Sequence, residues 1–103
     1  ISPRPPAPDA AWHPSVDRLV RSALEVFAPE AILGVLLTGM GDDGAAAMTT
    51  LRDRGGWTVA EAESSAVVFG MPRALAARGG AGEVVDLSRV GERIRAWCDR
   101  RRR

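Results

Sequence analysis

"LGVLLTGMGDDGAAAM", residues 33 to 48, is the stretch on which the fold turns. Extended back to Ala31, its first part is the nearly unbroken apolar run AILGVLLT, as expected of a central parallel strand covered on both faces. Gly39, Gly41 and Gly44 follow, with Asp42 and Asp43 before the last of them. An alanine-rich segment comes next and reads as a helix opened by Asp43 or Gly44. A strand that passes through a glycine turn into a helix is half of a parallel crossover unit.

The remaining chain repeats this alternation. Ser15 caps a helix whose Val16, Leu19, Val20, Ala23, Leu24 and Phe27 share one apolar face, with Pro29 after its end. Beyond the turn, AAAMTTLRDR runs as a helix to Gly55 and Gly56. WTVAEA is a second strand and SSAVVFG a short helical turn. Pro72 suits the first position of a helix to Arg78 that Gly79 closes. EVVDL is a third strand. Ser88 starts a last helix with Val90, Ile94, Trp97 and Cys98 on one side. The order predicts an α/β fold: a three-layer doubly wound, mostly parallel sheet, here a partial one of about three strands with flanking helices. A larger sheet cut in two would give the same pattern, and one exposed edge would leave it marginally stable and open to self-pairing.

At 103 residues the chain is one small domain, and 46% apolar with 26% charged residues is ordinary for a soluble protein. A net charge of +1 gives no bias toward nucleic acid, and no apolar run is long enough to span a bilayer. The lone Cys98 excludes an internal disulfide and suits a reducing compartment. These features predict a cytoplasmic protein with no nucleic-acid partner and no membrane insertion. Five of the seven prolines fall within residues 1–14, an extended linker or strap. Residues 15–99 form the folded unit, and residues 100–103, all arginine, read as a solvated basic tail. The start at Ile1, without an initiator methionine, reads as the interior of a longer polypeptide.

Gly39, Gly41 and Gly44 also spell G-x-G-x-x-G, and Glu61 lies about as far downstream as the ribose-binding acid of a dinucleotide site. The chemistry opposes that nucleotide-binding module. Asp42 and Asp43 would stand a few ångströms from the diphosphate, and one such contact at ~4 Å and a dielectric of ~20 costs roughly 4 kcal/mol. Asp43 as a plain helix cap is the simplest alternative. A magnesium site on the aspartate pair lacks a third ligand at any suitable spacing.

Four segments in order resolve the choice: PSVDRL, GVLLTGMGDDGAAAM, WTVAEAESSAVVFGMPRALA and GEVVDLSRV. Together they resemble the protein-glutamate methylesterase family of bacterial chemotaxis (CheB type), in the C-terminal half of its catalytic domain. The resemblance implies hydrolysis of glutamyl methyl esters, and deamidation of glutamines, on methyl-accepting chemoreceptors by a Ser-His-Asp triad without a cofactor or metal. It places the triad aspartate on Asp43 and an oxyanion-hole backbone N–H on Met40, with Gly39, Gly41 and Gly44 as the supporting turn. Asp42 is expected to face solvent or help the cap. The family's G-x-S-T-G-G nucleophile, its histidine and its N-terminal receiver domain are not found in residues 1–103. His13, beside the PSVD helix start, reads as a linker histidine. The chain alone is therefore expected to be inactive, with serine and histidine supplied upstream. A degenerate structural relic is the remaining alternative. Val67, Val68 and Phe69 read as core, Arg73 as a solvated side chain, and Glu61 and Glu63 lie at a strand end where a pocket role is conceivable.

Overall fold

The computed structural model of the protein describes residues 15–101. The Ser15 hydroxyl accepts the Arg18 amide at 3.2 Å and opens α1 (Val16–Val26). A single 3-10 turn at Pro29–Ala31 leads to β1 (Leu33–Leu36). Then come α2 (Ala45–Asp53), β2 (Trp57–Glu61), α3 (Met71–Ala77), β3 (Glu83–Val85) and α4 (Leu87–Arg101). The strands form one parallel sheet in the order β1-β2-β3, with Leu33 opposite Trp57 and Val59 opposite Glu83.

Alternation along the strands sorts their side chains onto two faces. Leu36 and Ala60 point toward α2 and α3, where they join Ala45, Met48 and Leu75 in the buried core. Val16 and Val20 of α1 and Met71 of α3 pack against that cluster. Trp57, Val59, Glu61 and Glu83 occupy the opposite face, under α4. There the Trp57 indole N–H donates to Glu83 at 2.8 Å, and Arg93 Nε lies 2.6 Å from the other Glu83 oxygen. That second contact is an ion pair by distance rather than an aligned hydrogen bond. Burial opposes the charge on Glu83, but Trp57 and Arg93 outweigh it and hold the carboxyl below its usual range. Helices on both faces make the three layers that the alternation predicts.

Several expectations need correction. β1 is covered less fully than its apolar sequence suggests: Leu36 is buried, whereas Leu33 and Val35 are only half-buried. Among the described residues β1 pairs on one side only, and α4 lies over β2. No α1 residue is fully buried, and Leu19 and Phe27 of its apolar stripe are exposed. SSAVVFG makes a helical turn only at its start, where the Ser65 and Ala66 amides reach the Ala62 carbonyl. It then extends to bridge Phe69 to Gly39. Val67 is 88% exposed and Val68 is also exposed, so neither belongs to the core. α4 starts at Leu87, one residue before Ser88, and the Asp86 carboxylate ahead of it accepts both the amide and the hydroxyl of Ser88. The helix runs on through Arg100 and Arg101, so the folded unit does not end at residue 99. Ile94 and Cys98 are exposed, leaving Val90 buried and Trp97 half-buried on the inner side of α4. The 1–14 strap, His13 and the last two arginines lie outside the described residues.

Candidate functional site

All four helices begin at the edge of the sheet where the strands end. The first-turn amides of a helix lack intrahelical acceptors and carry partial positive charge, so this edge favours carboxylates. Asp17, Asp43, Glu61 and Asp86 collect there.

Asp43 stands just before α2, yet it does not cap that helix. Gly44 holds the N-cap position with φ +90°, and Gly41 has φ +85°. This left-handed region is open to glycine and strained for other residues, so the two glycines turn the chain within a few positions. The turn sends the Asp43 carboxylate to α1. One oxygen accepts the Val16 amide at 2.8 Å, and the other accepts the Asp17 amide at 3.2 Å. Asp17 in turn accepts the Ala47 amide of α2 at 3.0 Å. Each helix start is therefore capped by a carboxylate from the other. The sequence gives no local sign of this exchange, since the partners lie 26 to 30 residues apart. Asp17, which sequence reasoning passed over, is half of the device.

Half-buried, with one amide on each oxygen, Asp43 has lone-pair capacity left for a further donor. Asp42 next to it is exposed and contributes its backbone carbonyl, which accepts the Ala45 amide at 3.1 Å.

Met40 rides on a turn fastened to the 68–71 segment. The Thr38 hydroxyl accepts the Val68 amide at 2.7 Å, and the Gly39 amide donates to the Val68 carbonyl at 2.9 Å. The Gly39 carbonyl accepts both the Gly70 amide at 3.0 Å and the Met71 amide at 2.8 Å. The peptide group is planar and trans, so pinning that carbonyl turns the Met40 N–H the opposite way, away from residues 70 and 71. Gly70 permits the approach: a Cβ there would come within 2.7 Å of the Gly39 carbonyl oxygen. Met40 is 82% exposed, and exposed Leu37, Val67 and Val68 lie in the same two segments.

The nucleotide reading fails on the same geometry. Asp17 already takes a first-turn amide of α2, at the helix end where a diphosphate would lie. Glu61, the candidate ribose acid, is 2% exposed and turned inward, accepting the Thr38 amide at 2.9 Å and the Ser65 hydroxyl at 2.8 Å. Glu63 and Arg73 are exposed. Among the described residues, no three His, Cys, Asp or Glu side chains gather as a metal would require.

A parallel sheet flanked by helices, with its polar groups gathered at the strand ends, defines an α/β domain of the kind that carries its site at that edge. Comparison with known proteins narrows the class. The model of the CheB methylesterase family matches residues 3–94, and the chain belongs to that family. It is 54% identical, over 97% of its length, to protein-glutamate methylesterase/protein-glutamine glutaminase 3 of Rhodospirillum rubrum, covering 27% of that protein. It is 50% identical to protein-glutamate methylesterase FrzG of Myxococcus xanthus, over 85% of this chain and 26% of that one. The crystal structure of the Thermotoga maritima CheB methylesterase catalytic domain superposes with a TM-score of 0.74 at 33% identity, over 79% of this chain and 42% of that chain. The chain thus spans about a quarter of the length of the curated relatives it matches. Among the described residues, no helix is long and apolar enough to cross a membrane.

Proposed function

We propose that this chain contributes the acid and one oxyanion donor to a protein-glutamate methylesterase that acts on chemoreceptors and also deamidates receptor glutamines. The serine and histidine of its triad belong to sequence outside residues 1–103. The observation that carries the reading is the Asp43 carboxylate, presented at the strand ends by two amides of another helix and only a few residues from Met40.

In the reaction, serine Oγ attacks the glutamyl carbonyl while histidine removes its proton. The carbonyl oxygen becomes an anion, and the Met40 N–H donates to it. Histidine then returns the proton to the leaving group, which departs as methanol from an ester or ammonia from an amide. Water attacks the acyl-enzyme by the same route and frees the glutamate. Asp43 accepts the second imidazole N–H, fixing the tautomer and stabilising the imidazolium. The α1 amides that hold Asp43 keep it from rotating, and the pinned Gly39 carbonyl aims the Met40 amide without reorganisation at the moment of reaction.

The test is methanol release from methylated receptor by the intact protein that contains this segment. Asp43→Asn is expected to lower turnover by about 10⁴. A loss of less than tenfold would remove Asp43 from the triad. The receptor as substrate is checked in the same assay against a free glutamate methyl ester, which is expected to be the poorer substrate.

A further inference from the structure

Beyond the triad lies one group that the reaction does not use directly. Glu61 ends β2, the central strand, and is almost fully buried. No cationic side chain is paired with it by salt bridge or hydrogen bond among the described residues. A carboxylate in such a place is costly unless its oxygens are hydrogen-bonded. Both are. One oxygen accepts the Thr38 amide at 2.9 Å, at the root of the turn that carries Met40. The other accepts the Ser65 hydroxyl at 2.8 Å, at the root of the segment that pins Gly39. Ser65 Oγ itself accepts the Leu87 amide at 2.8 Å, at the start of α4. A single side chain thus fastens the two walls of the Met40 turn at their base and links them to the third strand's exit.

We propose that Glu61 is a positioning residue for the Met40 N–H: it sets the orientation of the oxyanion donor through Thr38 and Ser65 without touching substrate. The inference rests on the role assigned to Met40 above. Its chemistry requires an acceptor toward Thr38, whereas the contact to Ser65 can run in either direction, because a hydroxyl both donates and accepts. Glutamine meets these needs: its carbonyl takes the Thr38 amide and its NH₂ donates to Ser65 Oγ. Methionine fills similar volume with no acceptor of comparable strength and leaves the Thr38 N–H without its protein acceptor.

Amide hydrogen exchange on the intact protein that contains this segment reads the geometry directly, independently of catalysis. Glu61→Met is expected to speed exchange at Thr38, Gly39, Gly70 and Met71 by tenfold or more, while the α2 amides stay within about threefold. Glu61→Gln is expected to keep all of them within about threefold. Equal acceleration everywhere, or none at Thr38 and Gly39, overturns the proposal. Should Glu61→Met not fold, Ser65→Ala decides by the same measurement, with several-fold faster exchange at Thr38 expected and unchanged exchange counting against the idea. In the intact esterase, Glu61→Met is expected to lower kcat at least tenfold with KM within threefold, and Glu61→Gln to restore it. An exchange effect without a kcat effect, in an enzyme that still depends on Asp43, overturns the link to the oxyanion donor. Loss of the Asp43 dependence itself overturns the catalytic reading and leaves the exchange result standing.

Discussion

The two edges of this sheet solve opposite problems with opposite charges. Where the strands end, Asp17, Asp43, Glu61 and Asp86 accept backbone amides. Where they begin, arginines donate to carbonyls: Arg52 reaches the Gly79 carbonyl beyond α3 at 2.6 Å, and Arg101 reaches the Glu30 carbonyl at 2.5 Å. The same two guanidiniums lie over indoles, Arg52 at 5.8 Å from the Trp57 ring centre and Arg101 at 5.3 Å from that of Trp97. Parallel crossovers are the cause. They bring every helix start to one edge and every helix end to the other, so unpaired amides and positive partial charge gather on one side, and carbonyls and negative charge on the other. The hydrolytic site proposed above needs an oriented carboxylate and an amide donor, and this edge is the one that favours both.

The sharpest way to break this comparison is to exchange two neighbours on the same turn. If the proposed esterase reading holds, Asp43→Asn in the intact protein should cost about 10⁴ in turnover, whereas Asp42→Asn, at an exposed position, should stay within about twofold. Equal losses in the receptor assay would mean that charge near the turn matters and orientation does not.

The next effect is on stability. Asp17→Ala removes the carboxylate that accepts the Ala47 amide and should cost about 1–2 kcal/mol in urea unfolding of this chain. The Ala47 amide should exchange faster while α4 amides hold. An unchanged unfolding midpoint would reduce the exchange of caps between α1 and α2 to a surface contact.

A pH series sharpens the acid side. The Ser88 amide, then the hydroxyls of Ser88 and Ser64, hold the Asp86 carboxyl below its ordinary range. A folded-state pKa below the unfolded one gives stability that is complete above the unfolded value of about 3.9 and fades as pH falls through the folded one. Asp86→Asn should therefore lower the unfolding midpoint relative to wild type at pH 6, and the difference should shrink by pH 3. A constant difference would assign Asp86 to packing instead.

The smallest effect belongs to the basic edge. Arg52→Met removes an exposed hydrogen bond and a cation–π contact, and should cost no more than about 1 kcal/mol by chemical denaturation. A loss as large as that of Asp17→Ala would erase the asymmetry between the edges.

Much of the fold was legible because its signals are local. Ser15 caps the helix it precedes, Gly55 and Gly79 stop the helices they follow, and Pro72 stands at the start of α3. The misreadings share a cause. Val67 and Val68 look like core by composition, but their segment extends along the Met40 turn and leaves them outside. Asp43 looks like the cap of its own helix, but Gly44 redirects it to another. Glu61 looks like an acid facing a pocket, but it turns inward to the Thr38 amide and the Ser65 hydroxyl, and Ser65 is tied in turn to the Leu87 amide.

By itself the sequence determined the alternation of helices and strands, the glycine turn at the end of β1 and the motifs that mark the family. Each of these depends on residues within a turn or two of one another, where backbone geometry and apolar period dominate. Only the tertiary structure decided which amides each carboxylate would hold. A carboxylate bonds whichever donor the packed helices bring within about 3 Å, and that neighbour is set by how the layers meet rather than by distance along the chain.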